Sequence, residues 1–427
     1  MCAFAPGVKP CSRGSGIPSL TAGRGLPDTL AMKKRIAIFC DGTWNRAEAP
    51  HPTNVVRMAQ TVKHSADDGR KQHVIYRMGV GTGRGSSAVA RVTDKVLGGA
   101  MGWGLTETIV DLYRDLIFCY EPGDELFIFG FSRGAYTARS LAGLIRYCGI
   151  PPRENVGRIP TAMERYRRPK SAKNHPDHES NIAWRSDFAP FTVTSDDEFR
   201  WRLANRPGLV EPLTISFLGV WDTVGALGVP GYWFAAPLFN RGYQFHDNEL
   251  SSIIGSARHA LAIDETRRAF APTHMERIDV LNRRRLGLEE GADLSGIDRE
   301  SLPLREEWFP GDHGSVGGGG ARKGLSAYAF DWIAQGAQRA GLDMRPELWE
   351  MIRDERDIGA PVINKLRAGP MTQFMRFTGR DRDGPADPAL VSEAARMKVA
   401  AEPRYRPRTL ARVMGALAGT SARGGGG

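Results

Sequence analysis

Nowhere in this sequence do about 18 apolar residues run together, so no bilayer-spanning helix is expected. Cysteine is scarce: Cys2, Cys11, Cys40, Cys119 and Cys148 are odd in number and include no C-x-x-C pair. A disulfide framework is therefore not expected, and Cys40 and Cys119, in or beside apolar segments, read as reduced core residues. The absence of H-E-x-x-H and of any compact Cys/His cluster argues against a zinc site, and no metal or other cofactor is expected. There are no internal repeats and no nucleic-acid-binding module, so nucleic acid is not expected as a partner. One near miss is Gly79-Val80-Gly81-Thr82-Gly83. It fails as a dinucleotide fingerprint because Arg84 and Ser86 stand where either frame needs glycine, and it reads as a loop at the rim of a site.

What the chain does have is length and apolar content. Its 427 residues, 41% of them hydrophobic, can fill the core of one large α/β domain with insertions or of two ordinary domains. Lys and Arg exceed Asp and Glu by 58 to 48, a net charge of +10 that favours anionic partners such as a phospholipid surface. The excess is thinly spread, and a solvated basic surface explains it equally well.

Residues 1–31 are rich in Gly, Pro and Ser, lack periodicity and carry no signal-peptide core; they read as a disordered extension or a mis-assigned start before Met32. Short apolar runs at 35–40, 73–76, 125–131 and 214–221 read as strands of a parallel sheet. Helical spacing at 105–120, and again after residue 132, supplies the crossovers. The segment 151–208 reads as an inserted cap of helices and loops, 250–268 and 326–340 as helices, and 276–281 and 305–309 as late strands. The catalytic domain is expected over 32–345, followed by a helical and irregular C-terminal extension over 346–427, irregular from 369 and ending in a disordered glycine tail.

Within this frame one stretch carries chemistry. The run Glu125–Phe129 leads into Gly130-Phe131-Ser132-Arg133-Gly134 and then at once into a helical pattern. This is the strand, sharp turn and helix of a nucleophile elbow, in which small residues let the two backbones approach. A serine needs a base and an orienting acid, which in α/β-hydrolases follow it in the order acid, histidine. Asp222, at the end of the 214–221 strand, and His313, in a glycine-rich loop, satisfy that order. The competitors fit less well. His51, His64 and His73 precede the serine, His175 and His178 fall in the insertion, and His259 and Asp264 fall on the expected 250–268 helix. His246 and His274 remain as loop alternatives, and Asp41 reads as shaping the first loop. The oxyanion hole is expected from the N–H of Arg133 and from Gly42-Thr43. Trp44 and the aromatic segment Tyr232-Trp233-Phe234 are candidate substrate contacts, the latter equally readable as core.

Five blocks recur in a fixed order: Asp41-Gly42-Thr43-Trp44-Asn45, Gly130–Arg139, Val220–Ala226, His259–Glu265 and Trp308-Phe309-x-Gly311-x-His313. Together they resemble the bacterial α/β-hydrolase family that supplies the catalytic domain of type VI secretion phospholipase effectors, over about residues 33–345. The resemblance implies an α/β-hydrolase fold, a mainly parallel sheet flanked by helices. It also implies an esterase with Ser132 as nucleophile, Asp222 as acid and His313 as base, acting on a lipid or other ester. It further implies a protein that is cytoplasmic in the producing bacterium, with any export independent of a signal peptide. The family loop usually continues Ser-Asp-Val-Gly after the histidine, whereas this chain has Gly314-Ser315-Val316-Gly317. The sequence leaves oligomeric state open. It also leaves two rivals to a phospholipase: a carboxylesterase for small soluble esters, and a binding protein that keeps the fold with a dead site.

Overall fold

Phe39 and Phe129 stack face to face at 4.9 Å between centroids, and around that pair two neighbouring strands of a six-stranded sheet align residue by residue. The computed structural model describes residues 33–42, 45–79, 98–225, 250–364 and 379–420. Residues 33–427 constitute one compact unit. The strands are β1 (Arg35–Cys40), β2 (Gln72–Arg77), β3 (Glu125–Phe131), β4 (Ile215–Trp221), β5 (Ile254–Ala262) and β6 (Leu304–Phe309). All pair in parallel, in the order β2-β1-β3-β4-β5-β6. Parallel neighbours demand crossovers, so both faces are covered and the strands are apolar throughout.

The side chains sort by alternation. Ile36, Ile38, Leu126 and Ile128 face α2 (Gly98–Cys119) and α3 (Arg133–Cys148), whose Leu112, Leu116, Leu141 and Ile145 complete one core. Ala37, Phe39, Phe127 and Phe129 face the other way, onto α1 (Asn54–Thr61) and a later helix, Gly324–Arg339, through Val55, Met58, Phe330 and Ile333. The order reverses between β1 and β3, because the chain leaves β1 toward β2 on one side and leaves β3 toward β4 on the other. That divergence opens a crevice beyond the carboxyl ends of the strands, where α/β sheets place ligands.

Three expectations need correcting. The segment 250–268 holds no α-helix: residues 254–262 are strand β5, so His259 lies on a strand and Asp264 in the bend after it. Ala257, Ala260 and Ala262 favour helix in isolation, but hydrogen bonding to β4 and β6 on both sides, with near-complete burial, overrides that preference. The segment expected as a strand at 276–281 instead enters a helix, Ile278–Arg285, with Asp279 in its first turn and Arg283–Arg285 in its last, the charge placement the helix dipole favours. The stretch beyond 369, expected to be irregular, contains the helices Glu393–Ala401 and Met414–Thr420. With Leu261, Ile263 and Trp308 it forms a third core through Val391, Ala395, Val399, Leu410 and Val413. Between residues 151 and 208 the chain runs through short helices and loops, with Thr192–Val193 pairing to Glu211–Pro212 in a minor sheet.

Candidate active site

Ser132 sits between β3 and α3 with φ 60° and ψ −125°, a conformation disfavoured for a residue with a side chain. Packing enforces it. A Cβ on Gly130 would meet the carbonyl oxygen of Gly134 at 2.5 Å, and one on Gly134 would meet that of Cys40 at 2.2 Å. The elbow thus closes only with glycine at both positions, and the Ser132 N–H is tied to the Trp221 carbonyl at 3.0 Å.

Asp222 follows β4 immediately and has φ 40°; no part of it is exposed. Its Oδ1 accepts the Ala262 N–H at 2.9 Å and Arg382 Nη1 at 2.6 Å. Its Oδ2 accepts Arg382 Nη2 at 2.9 Å and lies 2.6 Å from His313 Nδ1. Burial alone would raise this carboxyl, but the Arg382 guanidinium and the His313 ring hold it well below the usual carboxylate range. An ionised carboxylate only accepts, so His313 Nδ1 carries a proton; in the neutral ring Nε2 then presents its lone pair, the tautomer a general base requires.

His313 opens the short helix α4 (His313–Gly317), capped by Asp312. Its N–H donates to Glu265 at 3.2 Å. Its ring lies between Phe131, at 4.6 Å, and Phe270, at 4.7 Å between centroids. Phe131 precedes Ser132, so the His313 ring is packed against the turn that carries the serine. The departure at Ser315 is accommodated: its N–H and hydroxyl lie 2.9 and 2.8 Å from Asp312 Oδ1, and the hydroxyl also lies 2.8 Å from the Val362 carbonyl. An aspartate at 315 would set a second carboxylate against Asp312. The glycines that follow have a packing role too, since a Cβ on Gly317 would overlap the Phe131 ring at 1.9 Å.

Of the oxyanion candidates, Arg133 is the first residue of α3, at the end of the helix where N–H groups point outward. Burial lowers its guanidinium to about 10. The Gly42 N–H donates to Asp41 Oδ1 at 2.7 Å, which engages that amide within its own loop. Thr43, Trp44, Tyr232, Trp233, Phe234 and His246, like the rim loop expected at 79–83 beyond Gly79, lie outside the described residues. Asp41 shapes the first loop as expected, accepting also from Thr53 and Tyr76, and burial pushes its carboxyl up to about 6.

Two of the competing histidines, His259 and His274, share one carboxylate, that of Glu306. His259 is fully buried, its Nε2 accepting the Thr223 N–H and its Nδ1 2.8 Å from Glu306. His274 Nδ1 lies 2.6 Å from the other Glu306 oxygen. Sequence reasoning gave no role to Arg382, Glu265, Phe270 or Glu306; Glu265 closes a recognised block and Phe270 and Glu306 lie near blocks, whereas Arg382 lies in a charged stretch with no motif. Among the described residues, no three His, Cys, Asp or Glu side chains converge as metal ligands, and no helix is long and apolar enough to cross a membrane.

An uncharacterized protein of Saccharomyces cerevisiae is 27% identical over 250 residues, 56% of this chain and 32% of its own length. An uncharacterized protein from Pseudomonas aeruginosa aligns with 91% of this chain and 53% of its own, at 18% identity and a TM-score of 0.41. The Tle1 effector, solved bound to the VgrG spike of the type 6 secretion system, aligns with 67% of this chain and 50% of its own, at 16% identity and a TM-score of 0.31. The chain thus spans about a third of that curated relative and about half of each solved one. The family model for the catalytic domain of Tle1-like type VI secretion phospholipase effectors matches residues 34–336, the stretch that supplies the elbow, Asp222 and His313, and the chain belongs to that family.

Proposed function

We propose that this protein is a serine hydrolase that cleaves the acyl esters of glycerophospholipids through an acyl-enzyme. The observation that carries the reading is the buried His313–Asp222 pair, at 2.6 Å, packed through Phe131 against the strained Ser132 turn. His313 Nε2 takes the Ser132 hydroxyl proton as Oγ attacks the ester carbonyl, and the Arg133 N–H stabilises the oxyanion. Collapse breaks the bond to the leaving alkoxide, which takes that proton from the imidazolium and departs as lysolipid. Water, deprotonated by the same Nε2, then releases the fatty acid and restores the serine. Asp222 stays ionised throughout and orients the ring.

The lipid is favoured over a small soluble ester by family membership and by a net charge of +10, which suits an anionic bilayer surface. The test compares wild type with S132A, using fluorophosphonate labelling and two substrates: phosphatidylglycerol-containing vesicles and a p-nitrophenyl ester. Labelling and vesicle hydrolysis by wild type alone are expected. Equal labelling of the two proteins refutes the nucleophile, and p-nitrophenyl turnover without vesicle turnover refutes the phospholipid.

A further inference from the structure

Arg382 lies beyond the region matched by the family, in a segment whose sequence carries no site motif, yet its side chain ends on the triad acid. Each terminal nitrogen also binds a carbonyl: Nη1 that of Ala262 at 2.9 Å, and Nη2 that of Phe270 at 2.6 Å. Phe270 is one of the two rings that enclose His313, so one guanidinium fixes both the acid and a wall of the base's slot. The rest of the segment is fastened around the same loop. Arg380 N–H donates to Thr266, Thr409 Oγ1 to the Ile263 carbonyl, and Tyr405 to Asp264, which in turn accepts the Gly311 N–H two residues before His313. Val391 bridges Trp308 on the edge strand β6, and Ser392 N–H donates to the Trp308 carbonyl.

We infer that Arg382 is a positioning residue of the catalytic triad, and that the segment carrying it, residues 379–413, is part of the catalytic unit rather than an appendage. The inference rests on the serine-hydrolase reading above. A planar fork that grips both carboxylate oxygens leaves Asp222 one orientation, with Oδ2 toward His313. It also sets a fixed positive charge behind the acid. That charge holds the Asp222 carboxylate ionised, and because acid and imidazole are coupled, losing it is expected to move the acidic limb of the activity upward. A lysine at 382 would keep the charge and lose the fork, whereas glutamine would lose both.

The experiment is the pH profile of kcat/KM on a p-nitrophenyl ester for wild type, R382Q, R382K and S132A in the full chain. Thermal unfolding of each reports folding. R382Q is expected to move the acidic limb upward by about one pH unit and to lose more than about tenfold in kcat/KM at pH 7. R382K is expected to keep the limb near its wild-type position while kcat falls severalfold. A merely structural anchor would lower the active fraction and leave the limb in place, so a wild-type limb in folded R382Q overturns the inference. If R382Q does not fold, R382K decides, with kcat expressed per site titrated by a fluorophosphonate so that a lowered active fraction does not count: a wild-type kcat per titrated site overturns the inference, and a reduced one supports it. S132A separates the two readings. If S132A retains activity, the triad assignment has failed; if S132A is inactive while R382Q and R382K behave as wild type, only the role of Arg382 has failed.

Discussion

His259 Nε2 accepts, at 3.1 Å, the backbone N–H of Thr223, the residue directly after Asp222. A backbone N–H can only donate, so that nitrogen is unprotonated, and the proton on Nδ1 goes to Glu306. Burial, opposed by Glu306, lowers the pKa of this histidine, and a neutral His259 is built into the floor beneath Asp222. H259A would leave the Thr223 N–H without its acceptor and Glu306 short of a donor, at a cost of about 2–4 kcal/mol. The sign of its pH dependence follows from the lowered pKa. The unfolded chain binds the proton more readily, so His259's contribution is present above about pH 6.5, its ordinary value, and is lost as pH falls below it. His274, raised by its bond to Glu306, works in the opposite sense and is partly exposed, so its share is screened. Urea unfolding of wild type and H259A across pH 5–8 checks both statements: the difference in stability should shrink toward pH 5.

D222N is expected to lower kcat by about ten-thousand-fold, because an amide can present a donor to His313 Nδ1 and thereby favour the wrong tautomer. It also strands Arg382, whose two terminal nitrogens lie on that carboxylate in a buried site. The variant should therefore be less stable by about 3 kcal/mol or more as well as slow. Steady-state kinetics and thermal unfolding separate the two effects; a D222N enzyme within tenfold of wild type would remove Asp222 from the triad.

Much of this site was legible before any coordinates. Strands β1, β3 and β4 are unbroken apolar runs ending in Asp41-Gly42, the elbow and Asp222-Thr223, and such runs in a parallel sheet are unambiguous. β5 was not legible, because Ala257-Arg258-His259-Ala260-Leu261-Ala262 is a good helix sequence and only two hydrogen-bonded neighbours make it a strand. Misreading it misplaced His259 and Asp264. Arg382 was illegible for another reason: it meets Asp222 across 160 residues of sequence, and a single arginine in a loop has no period or spacing to reveal a buried partner.

The elbow glycines give the sharpest steric test. G134A would put a methyl group 2.2 Å from the Cys40 carbonyl oxygen and 2.4 Å from that of Asp41, both backbone atoms of strand β1 and its loop. Neither can move without breaking the β1–β3 register, so the cost should exceed about 3 kcal/mol. By contrast G157A, with nothing within 4 Å of the added atom, should stay within about 0.5 kcal/mol of wild type. Chemical denaturation of the pair is the check, and equal midpoints would mean that the turn is not as tight as described.

Asp264 offers a prediction of opposite sign. It accepts the Tyr405 hydroxyl and the Gly311 N–H, both at 2.7 Å and both on Oδ2, yet burial raises its carboxyl to about 6 from an ordinary value near 4. A carboxyl whose folded pKa lies above its unfolded one binds protons more readily in the native state. Stability from this group is therefore largest at low pH and declines as pH rises from about 4 through about 6. Above pH 6 the native protein carries a buried charge that an amide would not. D264N keeps an oxygen for both donors and removes that charge, so it should match or exceed wild type at pH 7, by up to about 3 kcal/mol, with the gain vanishing near pH 4. Because Gly311 leads into His313, the variant should also keep its fluorophosphonate labelling rate. Paired unfolding curves at pH 4 and pH 7 decide it: a D264N protein destabilised at pH 7 but not at pH 4 would show that the Asp264 charge, rather than its oxygen, holds Tyr405 and the histidine loop together.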